Sequence, residues 1–220
     1  MNIDLPEKFT MYDERKNVIA WIEDGTLKLK VQASFGKAMH EITYEMKGRN
    51  KCFYCKEEFE EDKMTVDHMI PQERGGPTIT NNLVPSCNKC NSKKSNMTTE
   101  QFFKYLSLEK EERKIYYQNF KKYVKYMKEN ELLELPSDWI SKKKIQEIIV
   151  RFDFSQEYKR ARYRKVEKFY KEYKHLPKPI IVDKQGFLLD GFISLMFAKD
   201  NNLRNLPVIV LENVEVVIYL

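Results

Sequence analysis

Four cysteines fall in two Cys-x-x-Cys pairs, Cys52/Cys55 in KCFYCKEEF and Cys87/Cys90 in SCNKCN, and no cysteine is left over. In a reducing compartment such pairs supply four thiolates able to close a tetrahedral zinc site; two unrelated redox or core pairs are the plainer alternative. The 31 residues between the pairs, 56 to 86, exceed the usual gap of a zinc ribbon. The clip therefore encloses something of its own. Polar residues suited to chemistry crowd this insert and its edge: adjacent Asp67 and His68, Asn82 after the ERGGP stretch, and Asn91 directly after Cys90. Taken singly, a strand histidine is more often packed than catalytic, and Asn82 and Asn91 could serve as turn and cap residues.

The elements that must position these residues are short. Met64 to Ile70 reads as a strand, ERGGP as a turn or open loop, NNLVPS as a second strand, and NSKKSN as a short helix before a turn at Asn96. The order strand, loop, strand, helix puts Asp67 and His68 on the first strand, Asn82 in the loop and Asn91 on the helix. Adjacent strand residues point to opposite faces. A local distortion, or placement of the two groups on either side of a substrate, must reconcile Asp67 with His68. Lys93 and Lys94, on the expected helix, are expected to contact phosphate.

Over roughly residues 36 to 97 the chain resembles the HNH, or ββα-metal, endonucleases. The resemblance rests on CxxC, DH followed by IP, GG, NNL, and a second CxxC followed by a polar residue and lysine. It implies that His68 is the general base, that Asp67 and Asn91 hold one divalent cation, and that Asn82 braces the loop and orients the base. Asn91 stands where the name-giving pattern has histidine, as in phage junction resolvases of the endonuclease VII type. The products implied are 5′-phosphate and 3′-hydroxyl ends. Hydrolysis of a phosphodiester needs an activated water and a cation on the charge that develops. Histidine, with an ordinary pKa of about 6.5, is a base near neutrality. Carboxylate and amide oxygens suit Mg²⁺ or Mn²⁺, whereas thiolates select zinc, so ligand chemistry keeps the two ions apart.

Flanking segments look structural. SFGKAMHEITYEMKGRNKC reads as a helix ended by Gly48, with His40 a surface or packing residue, and NVIAWIEDGTLKLKV as a hairpin around EDG. Residues 97 to 130 read as helical, with Thr98 and Gln101 at capping-box spacing, Ser107 a second N-cap, and Pro136 stopping the helix. Phe102, Phe103, Tyr116, Phe120, Tyr123 and Tyr126 are expected to form a core stripe and not a base-stacking platform.

Beyond Lys165 come a helix, the strand PIIVD, a KQG turn, the strand FLLDG, a helix from Phe192 and the strand LPVIVLENV. This order resembles the ParB/sulfiredoxin-like domain, in which DG opens a helix. That family follows DG with His and Arg residues that meet nucleotide or phosphate. Here Phe192, Ile193 and Ser194 stand there, so the resemblance implies a scaffold and leaves Asp190 and Gly191 as turn and cap residues.

The 220-residue chain carries 39 Lys and Arg against 33 Asp and Glu, a net charge of +6. From Ser141 to Lys174 there are 12 Lys or Arg against 5 Asp or Glu, interleaved with tyrosines. That composition suits a polyanion, and Lys159, Arg160, Arg162 and Arg164 are the expected nucleic-acid contacts. No apolar run approaches a membrane span and no secretory signal is visible, so a soluble cytoplasmic protein without a membrane partner is expected.

The whole reads as an α+β protein: an N-terminal segment with a hairpin (1–35), a zinc-clipped ββα-metal nuclease core (36–98), a helical connector (99–136) and a small α/β ParB-like C-terminal domain (137–220). The expected activity is hydrolysis of double-stranded DNA with structural Zn²⁺ and catalytic Mg²⁺ or Mn²⁺, a homodimer being left open. One rival is a structure-specific junction nuclease. From another class comes a non-catalytic zinc-containing nucleic-acid-binding accessory protein of a phage or mobile element, against which the intact set of Asp67, His68, Asn82 and Asn91 counts.

Overall fold

Asp24 and Gly25 both hold positive φ, 49° and 69°, and so make the two-residue turn whose twist matches paired strands. The computed structural model describes residues 1–130, 132, 134–150 and 160–218. β1 (Thr10–Tyr12), β2 (Val18–Glu23) and β3 (Thr26–Lys30) form an antiparallel meander around that turn. Leu27 and Leu29, two apart on β3, both face inward, as the pleat requires. α1 (Phe35–Lys47) starts at Ser34, whose hydroxyl accepts the Lys37 N–H at 3.3 Å, and ends at Gly48, φ 83°. Phe35, Ala38, Met39 and Ile42 form its buried stripe at helical spacing.

The clip region follows the expected order. β4 (Met64–His68) pairs antiparallel with β5 (Leu83–Cys87), and α2 (Asn88–Lys94) continues directly from β5. α2 begins two residues before Cys90, not after it: Cys87 is its N-cap, and its Sγ accepts the Cys90 N–H at 3.4 Å. α3 (Thr99–Ser107) carries the full Thr98–Gln101 capping box. Two expectations for the connector fail. Ser107 is the last residue of α3, and α4 (Lys110–Glu129) is capped by Glu109, whose N–H reaches the Glu112 carboxylate at 2.9 Å. Nor does Pro136 stop the helix, because Asn130 ends it with its side-chain amide on the Tyr126 carbonyl. The aromatic stripe is only partly core: Phe102 and Phe120 are buried and Tyr116 half-buried, while Phe103, Tyr123 and Tyr126 are exposed.

The C-terminal part contains β6 (Ser141–Lys144), α5 (Arg160–Tyr173), β7 (Ile180–Asp183), β8 (Leu188–Asp190), α6 (Phe192–Asp200), β9 (Asn205–Leu211) and β10 (Val214–Val217). One mixed sheet has the order β6-β9-β7-β8, with β7 and β9 parallel. β10 leaves it and pairs parallel with β3, completing the N-terminal sheet as β1-β2-β3-β10. The segments expected at 1–35 and 137–220 thus share a sheet. Asp183 fastens the junction: its carboxylate accepts the N–H groups of Gln185, Phe187 and Val216.

One core cluster joins Leu27, Leu29 and the α1 stripe to Val66 and Leu83 of the β4–β5 hairpin and to Ile181, Leu189 and Leu211. Burial of these side chains, each worth roughly 1.5–3 kcal/mol, locks the hairpin to both flanks. No helix among the described residues is long and apolar enough to cross a membrane.

Candidate functional site

The two knuckles come together. Sγ atoms of Cys52, Cys55, Cys87 and Cys90 all lie within 4.8 Å of one another. A zinc ion with Zn–S bonds of about 2.3 Å needs sulfurs about 3.8 Å apart, so the cluster fits a tetrahedral zinc with small adjustments. Phe53 N–H to the Pro85 carbonyl, 2.8 Å, stitches the first knuckle onto β5. Around the sulfurs pack Tyr54, Met64, Val84, Met97, Phe102 and Phe120.

Asp67 and His68 leave opposite faces of β4. The β4–β5 ladder is regular from Met64↔Cys87 to His68↔Leu83, so no local distortion brings the two together. Asp67 turns inward. Its Oδ2 accepts the Tyr54 hydroxyl at 2.6 Å and faces the Lys94 ammonium at 3.1 Å, while Oδ1 takes no hydrogen bond among the described residues. Burial, and then the Asp67 charge, push the Tyr54 hydroxyl pKa far up, so it remains a donor. Asn91 lies on α2, which packs against β4 and β5; it is half-exposed, and its side chain makes no hydrogen bond among the described residues. No hydrogen bond joins Asn91 to Asp67 or His68 there.

His68 turns toward the loop. Its Nε2 lies 3.0 Å from Thr78 Oγ1 and 3.2 Å from Gln72 Nε2, while Nδ1 has no hydrogen bond among the described residues. Desolvation pushes the imidazole pKa down to about 4, helped by the positive charges of His40, Lys178 and Lys94. The ring is therefore neutral at physiological pH. Its partners Gln72 and Thr78 line a cleft of about 930 Å³ whose other wall includes Arg162, Lys178, Asp190 and Ser194.

Asn82 holds the loop closed. Its Oδ1 accepts the Ile70 N–H at 2.8 Å, and its Nδ2 donates to the carbonyls of Ile70 (3.0 Å) and Pro77 (2.9 Å). Gly76 permits the close approach: an added Cβ would overlap the Ile70 carbonyl and crowd Asn82 Nδ2 at 2.9 Å. Gly75, with φ 90°, supplies the left-handed turn before it. Buried Arg74 fastens the same loop from behind, donating to the Asn96 carbonyl at 3.1 Å and to Gln101 Oε1, and pairing with Glu134. Desolvation lowers its pKa to about 10, which leaves it charged.

Residues 52–107 match the HNH endonuclease family model. No curated protein matches the chain. The matched segment holds both knuckles, the β4–β5 hairpin, α2 and α3, and covers a minority of the 220 residues. Similarity to HNH endonucleases supports a nuclease, a hydrolase acting on DNA, built around a four-cysteine zinc clip.

Within this HNH region one expected contact is overturned. Lys94 is completely buried, its ammonium 2.7 Å from the His68 carbonyl and facing Asp67, so it cannot meet an external phosphate. The reason is helical phase: Lys94 shares the inner face of α2 with Cys90, four residues earlier, whereas Lys93 is exposed and lies over the Tyr105 ring at 5.7 Å. On α5, Arg160, Arg162 and Arg164 are all exposed, but only Arg162 lines the cleft; Lys159 lies outside the described residues. Tyr54, Gln72 and Thr78 are the site residues that motif spacing did not single out, and Lys94 was singled out for a different role.

Lys94→Met should lower stability by roughly 3–5 kcal/mol, because it strips a buried carboxylate of its cation. Thermal melting checks this. If Asp67 also binds a divalent ion, added Mn²⁺ should raise the melting temperature of the variant more than that of the parent.

Proposed function

We propose that the chain is a metal-dependent HNH endonuclease that hydrolyses DNA phosphodiester bonds, with double-stranded DNA as substrate. The observation that carries this is the divided end of β4: Gln72 and Thr78, the partners of a neutral His68, line the cleft, and Asp67 meets Lys94 of α2 on the other side of the same strand. His68 acts as general base through Nδ1. That role requires the tautomer in which Nε2 carries the proton and donates it to Thr78 Oγ1, the acceptor at 3.0 Å. Asn82, by fixing Ile70 and Pro77, orients the strand end that carries His68.

The donor set fits a second ion. Asp67 Oδ1 and the Asn91 amide are oxygen donors without hydrogen bonds among the described residues, the chemistry that suits Mg²⁺ or Mn²⁺ and not zinc. Bound there, such an ion would stabilise charge on the pentacovalent phosphorus and the leaving 3′ oxygen. Lys93 and Arg162, both exposed, would meet flanking phosphate. The ParB-like C-terminal part serves as a scaffold that walls the cleft, with no cationic residue at Phe192, Ile193 or Ser194.

Incubation of purified protein with supercoiled plasmid tests the reading. Nicked or linear product should form with Mg²⁺ or Mn²⁺ and not in its absence. One observation favours the non-catalytic reading: Lys94 already neutralises Asp67. Plasmid left intact at every metal concentration would decide for that reading.

A further inference from the structure

The cleft beside His68 does not end at the nuclease hairpin. Lys178 lines both that cleft and a second concavity of about 340 Å³, which also takes in Lys142, Lys174 and Arg204. Arg204 and Asn205 in turn line a third, of about 730 Å³, together with Lys144 and Lys199. Shared walls make the three concavities one track, running from the partners of His68 across β6, the end of α5, the end of α6 and the start of β9.

The charge along this track is one-sided beyond the cleft. No Asp or Glu lines the second or third concavity. Lys178 is paired with Asp190 at 2.8 Å, but Lys142, Lys144, Lys174, Lys199 and Arg204 are exposed and make no ion pair among the described residues. The helix dipole explains a lysine at the end of α6 or α5, which accounts for Lys199 and Lys174 but not for Lys142, Lys144 or Arg204. Lys142 and Lys144 are two apart on β6, so they face one side, about 6.7 Å apart along the strand. That is a ladder of cations, comparable in spacing with successive phosphates on an extended backbone. A compact anion would use one rung; a continuous polyanion uses all.

We propose that this track holds the phosphodiester backbone of the DNA flanking the scissile phosphate, so that the C-terminal part determines how the substrate lies against His68. The proposal rests on the nuclease reading for its link to cleavage. Its binding test does not, and the two can fail separately.

The test is binding of a fluorescein-labelled DNA duplex, followed by anisotropy without added divalent cation, to the full chain and to a Lys142→Ala, Lys144→Ala, Lys199→Ala, Arg204→Ala variant. Affinity at moderate salt should drop by about tenfold or more, and the slope of log K against log salt should flatten by about 3 to 4 units. Replacing the three lysines by Arg should keep both. Should the fourfold variant lose its zinc or its cooperative melt, Lys142→Ala and Arg204→Ala singly should each flatten the slope by about one unit. Unchanged affinity and slope in folded variants overturns the proposal. Loss of binding alongside a parent that leaves plasmid intact sinks the nuclease reading and keeps the track; cleavage by the parent with unchanged binding in the variant does the reverse.

Discussion

His68→Ala lowers plasmid cleavage by about a hundredfold or more while zinc content and melting temperature stay near the parent's, because an acid-base group contributes on that scale and the ring's polar contacts are confined to Thr78 and Gln72. Asn91→Ala should also lose activity without losing zinc or fold, through a different defect. Its side chain carries no hydrogen bond within the described structure, so its removal costs the fold little and the divalent ion an oxygen donor. Raising Mg²⁺ or Mn²⁺ should therefore restore cleavage in part to Asn91→Ala and not to His68→Ala. Cleavage by Asn91→Ala equal to the parent's at low metal would make that asparagine a plain helix residue. Acid dependence adds a further mark. A folded pKa near 4 against about 6.5 unfolded keeps the imidazole neutral, so base activity persists below pH 6 and fades only toward pH 4. Over the same window the unfolded chain takes up the proton first, so stability falls as pH drops from 6.5 toward 4.

What could be read before the structure was local. Gly48, the Thr98–Gln101 box and the Asp24-Gly25 turn each act within a few residues, and each appears where local chemistry puts it. The knuckles are legible for the same reason, since each holds its own pair of thiols. Lys93 and Lys94 were not separable as neighbours in a basic run. Only the phase of α2, fixed by where the helix starts at Cys87, sends one to solvent and the other under Asp67. Tyr54 was hidden differently: it sits between two ligating cysteines, where CxxC spacing draws attention to sulfur and away from the hydroxyl that holds Asp67.

Long-range pairing was the larger gap. Nothing near Val214 indicates that its partner is Leu27, because a parallel pairing across most of the chain depends on which hydrophobic edge is left open after all other strands have paired. That pairing has a functional consequence. It binds the C-terminal sheet to the N-terminal one, and the common core then holds Lys178 and Asp190 against the face of the hairpin where His68 lies.

Loss of zinc should act on one part of this structure more than on the rest. The sulfurs are surrounded by a separate cluster, Tyr54, Met64, Val84, Met97, Phe102 and Phe120, whereas the paired sheets and α1 draw on a core that contains no cysteine. Structural zinc sites contribute roughly 10–16 kcal/mol of apparent binding free energy, a term as large as burial of the whole apolar cluster around the sulfurs supplies. Purified protein should thus carry about one equivalent of zinc, and a Cys52→Ala, Cys87→Ala variant should lose zinc and cleavage together. Hydrogen exchange should rise sharply across residues 52–107 in that variant while β2, β3, β7 and β9 stay protected, since their partners lie elsewhere. Less than about half an equivalent of zinc in protein made without chelator, or undiminished protection of β4 and α2 in the variant, would show that hydrophobic packing holds the clip and that the four thiols are not a metal centre.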